Sequence, residues 1–317
     1  MKRSQFRRLM DILVRALGRH TRRTIQQYGV PVTDAQRVEV ATALLPHIQR
    51  ARLQSHALGV QLLEAQAEAF DMPMPEVAPV RPYERQAVVT VLENVTRVQP
   101  PQRTGPSVTV TDDNEIPDDA PRVSVTVLDP QTRRDSRVTV EVTEDNRRDP
   151  QVVKVIAEKA AAVVERHARM PSREAVTDAA DAVEEYRGVK IGWARVLTGA
   201  ESCGFCAMLA SRGPVYKSEQ TASRIGGSQN AFHDNCDCET VLVREDEDWV
   251  GQEAYEELEK LWIAATQTTS GKSSLKSFTA AVNQEIVNGD AGRLSRTSTD
   301  FPRRPGGAFF FDPRRVS

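Results

Sequence analysis

Apolar residues recur at helical spacing from the start of the chain. Phe6, Leu9, Met10, Leu13, Leu17 and Ile25 predict an amphipathic helix over residues 4–28. Its other face carries Arg7, Arg8, Arg15, Arg19, Arg22 and Arg23, and Gly29 and Pro31 end it. Thr33 or Asp34 caps a second helix running through Val38, Ala41, Leu44, Leu45, Ile48, Leu53, Leu58 and Leu62 to Phe70. Pro46 lies inside that run, so a kink or break is expected near it. Residues 71–82, D-M-P-M-P-E-V-A-P-V-R-P, read as a proline-rich linker with extended backbone. Tyr83–Val95 combines helical spacing with a Val and Thr content that suits a strand, and is assigned to a helix.

The period then changes. Ser107–Thr111, Arg122–Val127 and Arg137–Val142 alternate Val with Thr, Ser or charge, which predicts short strands. Asp129–Ser136 would turn the last two into a hairpin. A bare hairpin is marginal in water, so this β-rich insertion must pack on something. Pro150 opens a helix at its first position, with Val152, Val153, Val155, Ile156, Ala160, Val163 and Val164 on the apolar side. Pro171 and Ser172 are expected to restart a separate helix through Ala175, Val176, Ala179, Val183 and Tyr186, ended by Gly188. His167 reads as an ordinary surface or capping histidine, and Trp193 as a core anchor. Thr240–Val243 predicts a strand. Trp249–Thr266 predicts a helix with Tyr255, Leu258, Leu261 and Trp262 on one side, and Leu275–Val287 another.

This pattern describes a predominantly helical α+β chain. It divides into an N-terminal helical region (1–70), a linker with a β-rich insertion (71–149), a cysteine-bearing module (150–245), and C-terminal helices with a tail (246–317). The length of 317 residues suits two domains. A formal net charge of −2 removes any global electrostatic case for nucleic acid or membrane binding. No apolar run is long enough to cross a bilayer. The basic residues at the N-terminus are not followed by the apolar segment of a signal peptide, which points to synthesis in a cytosol. Gly271-Lys-Ser-Ser274 is no phosphate-binding loop, because the required upstream glycine is Thr266.

All four cysteines fall in one window. Cys203 and Cys206 form a C-x-x-C pair, and His233, Cys236 and Cys238 an H-x-x-C-x-C cluster. Zinc takes four thiolate or imidazole ligands, usually as two short pairs joined by a loop. On a strand, Cys236 and Cys238 would share one face. Five candidates compete for four places, and a site closed by four protein ligands would be structural. Disulfides are a second reading, though a cytosol favours metal. A Cys–His catalytic pair is a third, with Cys203 or Cys206 activated by His233. Reduced cysteines packed in a small core are the plainest one.

The stretch G-W-A-R-V-L-T-G-A-E-S-C-G-F-C-A-M-L-A-S-R-G-P-V-Y, followed by F-H-D-N-C-D-C, resembles the MuF-like minor capsid proteins of tailed bacteriophages, closest to those of actinobacterial phages. The shared pattern falls on Cys203, Cys206, Gly213, His233, Cys236 and Cys238, within residues 188–243. The family often has a basic residue where this chain has Asp237. The resemblance implies a structural, non-enzymatic minor head protein made in the host cytoplasm. It would act in head morphogenesis at the portal vertex and reside in the virion, with portal and capsid or scaffold proteins as partners.

Two other functions compete. A capsid maturation protease would need a serine with a positioned histidine base. Of His20, His47, His56, His167 and His233, only His233 lies in a strand-and-loop setting, and the motif already uses it. DNA contact would rest on the arginine helix face and the basic tail, although a solvated helix face is the preferred reading of those arginines. The tail carries Phe309-Phe310-Phe311, flanked by Arg303, Arg304, Arg314 and Arg315. Such a patch docks on a partner or folds back on its own domain.

Overall fold

The computed structural model describes residues 1–96, 122–128, 135–183, 185–198, 204–215, 238–270 and 272–287. Seven α-helices are found among them: α1 (Arg3–Tyr28), α2 (Asp34–Ala69), α3 (Arg85–Thr96), α4 (Pro150–Val183), α5 (Gly204–Ala210), α6 (Gln252–Thr266) and α7 (Lys272–Val287). Five strands accompany them: β1 (Arg122–Leu128), β2 (Asp135–Glu141), β3 (Glu185–Tyr186), β4 (Val189–Val196) and β5 (Glu239–Arg244). The chain is therefore predominantly helical α+β, as its pattern predicts. It forms two compact units that draw on interleaved segments. One unit holds Met1–Asp11, Gln54–Val80 and the described residues from Arg169 onward; the other holds Ile12–Leu53 and Arg81–Ala168.

The second unit is built from helix segments and a hairpin. Val14, Leu17, Ile25, Leu44, Ile48, Leu92 and Ile156 are among its buried residues. Gly29, at φ +78°, ends α1 in a conformation that favours glycine. The chain beyond it is held by Arg147, which donates from Nε to the Val30 carbonyl (3.0 Å) and from Nη2 to the Tyr28 carbonyl (2.8 Å). Thr33 and Gln36 form a reciprocal cap at the start of α2. At the start of α4 the Asp149 carboxylate accepts from the backbone of Gln151 and Val152, which fits Pro150 at the first helical position. β1 and β2 pair antiparallel, from Arg122 opposite Glu141 to Leu128 opposite Asp135. The predicted strand at 107–111 lies outside the described residues.

Both prolines lie inside continuous helices: α2 runs through Pro46 without a break, and α4 runs through Pro171, which corrects the expected restart there. A proline leaves the carbonyl four residues earlier without its helical partner. For Pro46 that is the carbonyl of Thr42, and both residues are exposed, so water can serve it. For Pro171 it is the carbonyl of His167, which accepts instead from Arg52 Nη1 at 2.8 Å.

The first unit contains a three-stranded antiparallel sheet in the order β3-β4-β5. The expected helix to Tyr186 stops at Val183 instead. Tyr186 belongs to β3, and Arg187 and Gly188 form the turn into β4. Both turn residues have positive φ, 54° and 78°. That is the hairpin geometry whose twist matches paired strands, and it explains why Gly188 ends no helix. Side chains of β4 and β5 alternate between two cores. Ile191, Trp193 and Leu242 pack with Leu63, Ala67, Phe70, Val176 and Ala179. Ala194, Val196, Val241 and Val243 pack with Trp249 on the other side. Trp193 is 1% exposed and donates its indole N–H to Asp181 at 3.3 Å, so it is the anchor its size suggested.

Candidate functional site

A third cluster in the first unit surrounds two cysteines. Leu197, Ala207, Leu209, Leu258, Phe278 and Val282 bury Cys206 and Cys238, each 1% exposed. Cys206 sits on α5, a helix of seven residues. Gly204 at its start approaches α7 so closely that a Cβ there would lie 2.3 Å from Thr279 Oγ1. The glycine inside the C-x-x-C pair thus lets α5 seat on α7. Trp262 and Phe278 meet edge to face at 5.0 Å and close the far side. Cys238 stands immediately before β5, where Glu239 pairs with Val196 and Thr240 with Arg195.

The two sulfurs are 3.9 Å apart and not bonded to each other. Two thiolates about 2.3 Å from one tetrahedral ion would stand about 3.8 Å apart. One sulfur from each half of the motif is thus at the spacing of two ligands of one ion, in a buried setting. Cys203, His233 and Cys236, the other candidates, lie outside the described residues. Among the described residues no group of three or more potential metal ligands comes together.

Arginines converge on the same strand start. Arg195, on β4 and 2% exposed, donates from Nη1 to Cys238 Sγ at 3.6 Å. Arg173, on α4, donates from Nε (3.1 Å) and Nη2 (2.8 Å) to the Cys238 carbonyl. Arg3 and Arg7 each bind one oxygen of the Glu239 carboxylate, at 2.9 and 3.0 Å. Burial pulls the Arg3 guanidinium below its ordinary pKa, with Glu239 opposing. The cleft beside Cys238, lined by Phe6, Met10, Arg173, Glu239 and Thr240, has a volume of about 10 Å³. That is room for one water molecule.

Sequence reasoning found the cysteines and missed Arg3, Arg173 and Arg195. A signal existed for Arg195: alternation along β4 places it on the face of Trp193, where a charge needs a buried partner. The arginine stripe of α1 divides. Arg7 pairs with Glu239, and Arg22 with Glu158 and Glu165, whereas Arg8, Arg15, Arg19 and Arg23 are exposed.

The second unit holds another polar cluster. His167 is neither a surface nor a capping histidine. Its Nδ1 lies 2.6 Å from the Tyr83 hydroxyl and its Nε2 2.9 Å from Arg166 Nη2. Arginine can only donate, so Nε2 accepts and Nδ1 carries the proton given to Tyr83. Burial, with Arg166 and Arg52 nearby, pushes His167 down to about 3. Burial pushes Tyr83 up to about 12. Neither group changes charge near neutrality, which suits a structural pair and not a general acid or base.

A family model described as VG15 protein matches residues 2–265, and the chain belongs to that family. It is similar to two phage proteins. One is the Gene 15 protein of Mycobacterium phage D29, 34% identical over 130 residues, covering 33% of this chain and 47% of that protein. The other is the Gene 15 protein of Mycobacterium phage L5, 30% identical over 142 residues, with the same shares of 33% and 47%. The chain spans about half the length of these curated relatives. No solved structure matches it. The chain is a phage-family protein, and no helix among its described residues is long and apolar enough to cross a membrane.

Proposed function

We propose that this chain is a MuF-like structural minor head protein that acts in capsid assembly at the portal vertex and is located in the virion. Its phage relatives and its Cys/His motif support that setting. The observation that carries the structural part is the meeting of Cys206 and Cys238, one from each half of the motif, in an apolar cluster. A buried cross-link between α5 and the start of β5 would hold a small, loop-rich unit together.

The residues suit a structural zinc. Cys206 and Cys238 would hold it with two of Cys203, His233 and Cys236, and the ion would supply a fixed centre with no open coordination position. This reading includes no peptidase activity.

Portal and capsid or scaffold proteins are the proposed partners. The Phe309-Phe310-Phe311 patch, which lies outside the described residues, would anchor the chain to one of them. Each large aromatic buried is worth about 1.5–3 kcal/mol. Replacing the three with serine should leave the melting temperature of the isolated protein unchanged and reduce its incorporation into heads. A large loss of stability, or normal incorporation, would rule out the anchor. Purified heads should contain the protein in few copies, and its absence from them would overturn the head-protein reading. The exposed Arg8, Arg15, Arg19 and Arg23 support a weaker second reading, contact with packaged DNA.

A further inference from the structure

We propose that Arg195 is a positioning residue of the metal centre, donating a buried, charge-assisted hydrogen bond to the Cys238 sulfur and holding it as a ligand. The proposal rests on the metal reading above and goes beyond it, because no part of the Cys/His motif includes this arginine.

Three observations carry it. First, the guanidinium is 2% exposed and its Nη1 lies 3.6 Å from Cys238 Sγ, within reach of an N–H···S bond. A neutral thiol is a weak acceptor, whereas a sulfur bearing negative charge is a strong one. A guanidinium buried against sulfur therefore matches the form of cysteine that binds metal. Second, the strand register fixes the approach. Arg195 pairs with Thr240, two residues beyond Cys238, so both lie on the same side of the β4–β5 pair. Third, the neighbouring charge is already organised. Arg3 and Arg7 share Glu239, and Arg173 holds the Cys238 carbonyl, so the backbone that carries the sulfur is clamped from a separate direction. Thiolates around one zinc leave the centre with net negative charge, and a buried cation at the sulfur offsets it.

Outer partners of this kind commonly change metal affinity by about 10–100-fold when removed. A hydrogen bond to a ligand sulfur also lowers the energy of its lone pair. That raises the energy of the sulfur-to-metal charge-transfer transition when cobalt(II) replaces zinc.

The test uses the full chain loaded with cobalt(II), comparing wild type with Arg195→Met, Arg195→Lys and Arg195→Gln. Wild type should take up one equivalent and show thiolate-to-cobalt absorption. Arg195→Met should move that band to longer wavelength and lose the metal to a chelator about tenfold faster or more. Arg195→Lys and Arg195→Gln, which keep an N–H donor, should fall between the two. If Arg195→Met does not fold, the same ordering is read from the lysine and glutamine variants against wild type. Identical bands and release rates in the folded variants would overturn the role of Arg195 and leave the metal centre standing. A wild-type chain that takes up no cobalt would remove the centre, and this proposal with it.

Discussion

Both units bury an arginine-rich cluster, and they use it differently. In the second unit Arg52 gives its donors to the carbonyls of His167 and Arg81 and lies 4.8 Å from the centre of the Tyr83 ring. Those carbonyls belong to α4 and to the non-helical stretch before α3, and Tyr83 and His167 are neutral near pH 7. In the first unit Arg3, Arg173 and Arg195 converge on a strand start that carries a carboxylate and a buried sulfur. The elements around that sulfur are slight: a seven-residue helix and a six-residue strand. Short isolated elements are marginal without a tertiary tie. The contrast marks where a tie beyond apolar packing would act, and it can be broken at specific residues.

The largest single-site effect should fall on Trp193. Trp193→Ala removes the biggest fully buried side chain of the first unit, and stability should drop by about 3–5 kcal/mol in denaturant unfolding. A loss under about 1 kcal/mol would mean that the sheet is not seated on this residue.

Acid sensitivity should belong to the second unit. His167 has a folded pKa lowered from 6.5 to about 3, so the unfolded chain binds a proton that the folded chain refuses. Its contribution is fully present above pH 6.5 and is lost progressively as pH falls towards 3. His167→Leu should flatten that part of the stability–pH curve, at a cost of about 1–3 kcal/mol at neutral pH from the orphaned Tyr83 and Arg166 groups. An unchanged acid limb would exclude His167 as its source.

A smaller effect sharpens the other side. Gly204→Ala places a methyl group 2.3–2.7 Å from three atoms of Thr279, so α5 must shift on α7. We expect about 1–3 kcal/mol of destabilisation, with metal release accelerated because α5 carries Cys206. Gly204→Ala combined with Thr279→Ser, which removes one of the three atoms, should recover part of the loss. No recovery would place the strain elsewhere.

Much of this was legible from local pattern. The apolar period marked α1 and α2, the Val–Thr alternation marked β1 and β2, and Pro150 marked the start of α4. What was not legible depends on distant partners. Pro171 looked like a helix boundary because the donor that replaces its missing N–H is Arg52, more than a hundred residues earlier in the chain. Tyr186 continued a helical period, and only the paired positive φ values of Arg187 and Gly188 turn it into a hairpin. At the candidate site, clustering identified the cysteines, and the fold brings Cys206 to Cys238. The arginines around them come from α1, α4 and β4, which no spacing rule links.

The central claim is that a metal closes the Cys/His cluster of the first unit. Its most direct test is metal analysis of the purified chain together with hydrogen exchange before and after chelation. The account predicts one zinc per chain, and loss of amide protection across β4 and β5 on chelation while α3 in the second unit keeps its protection. A metal-free chain with free thiols and full protection of β4 and β5 would contradict it.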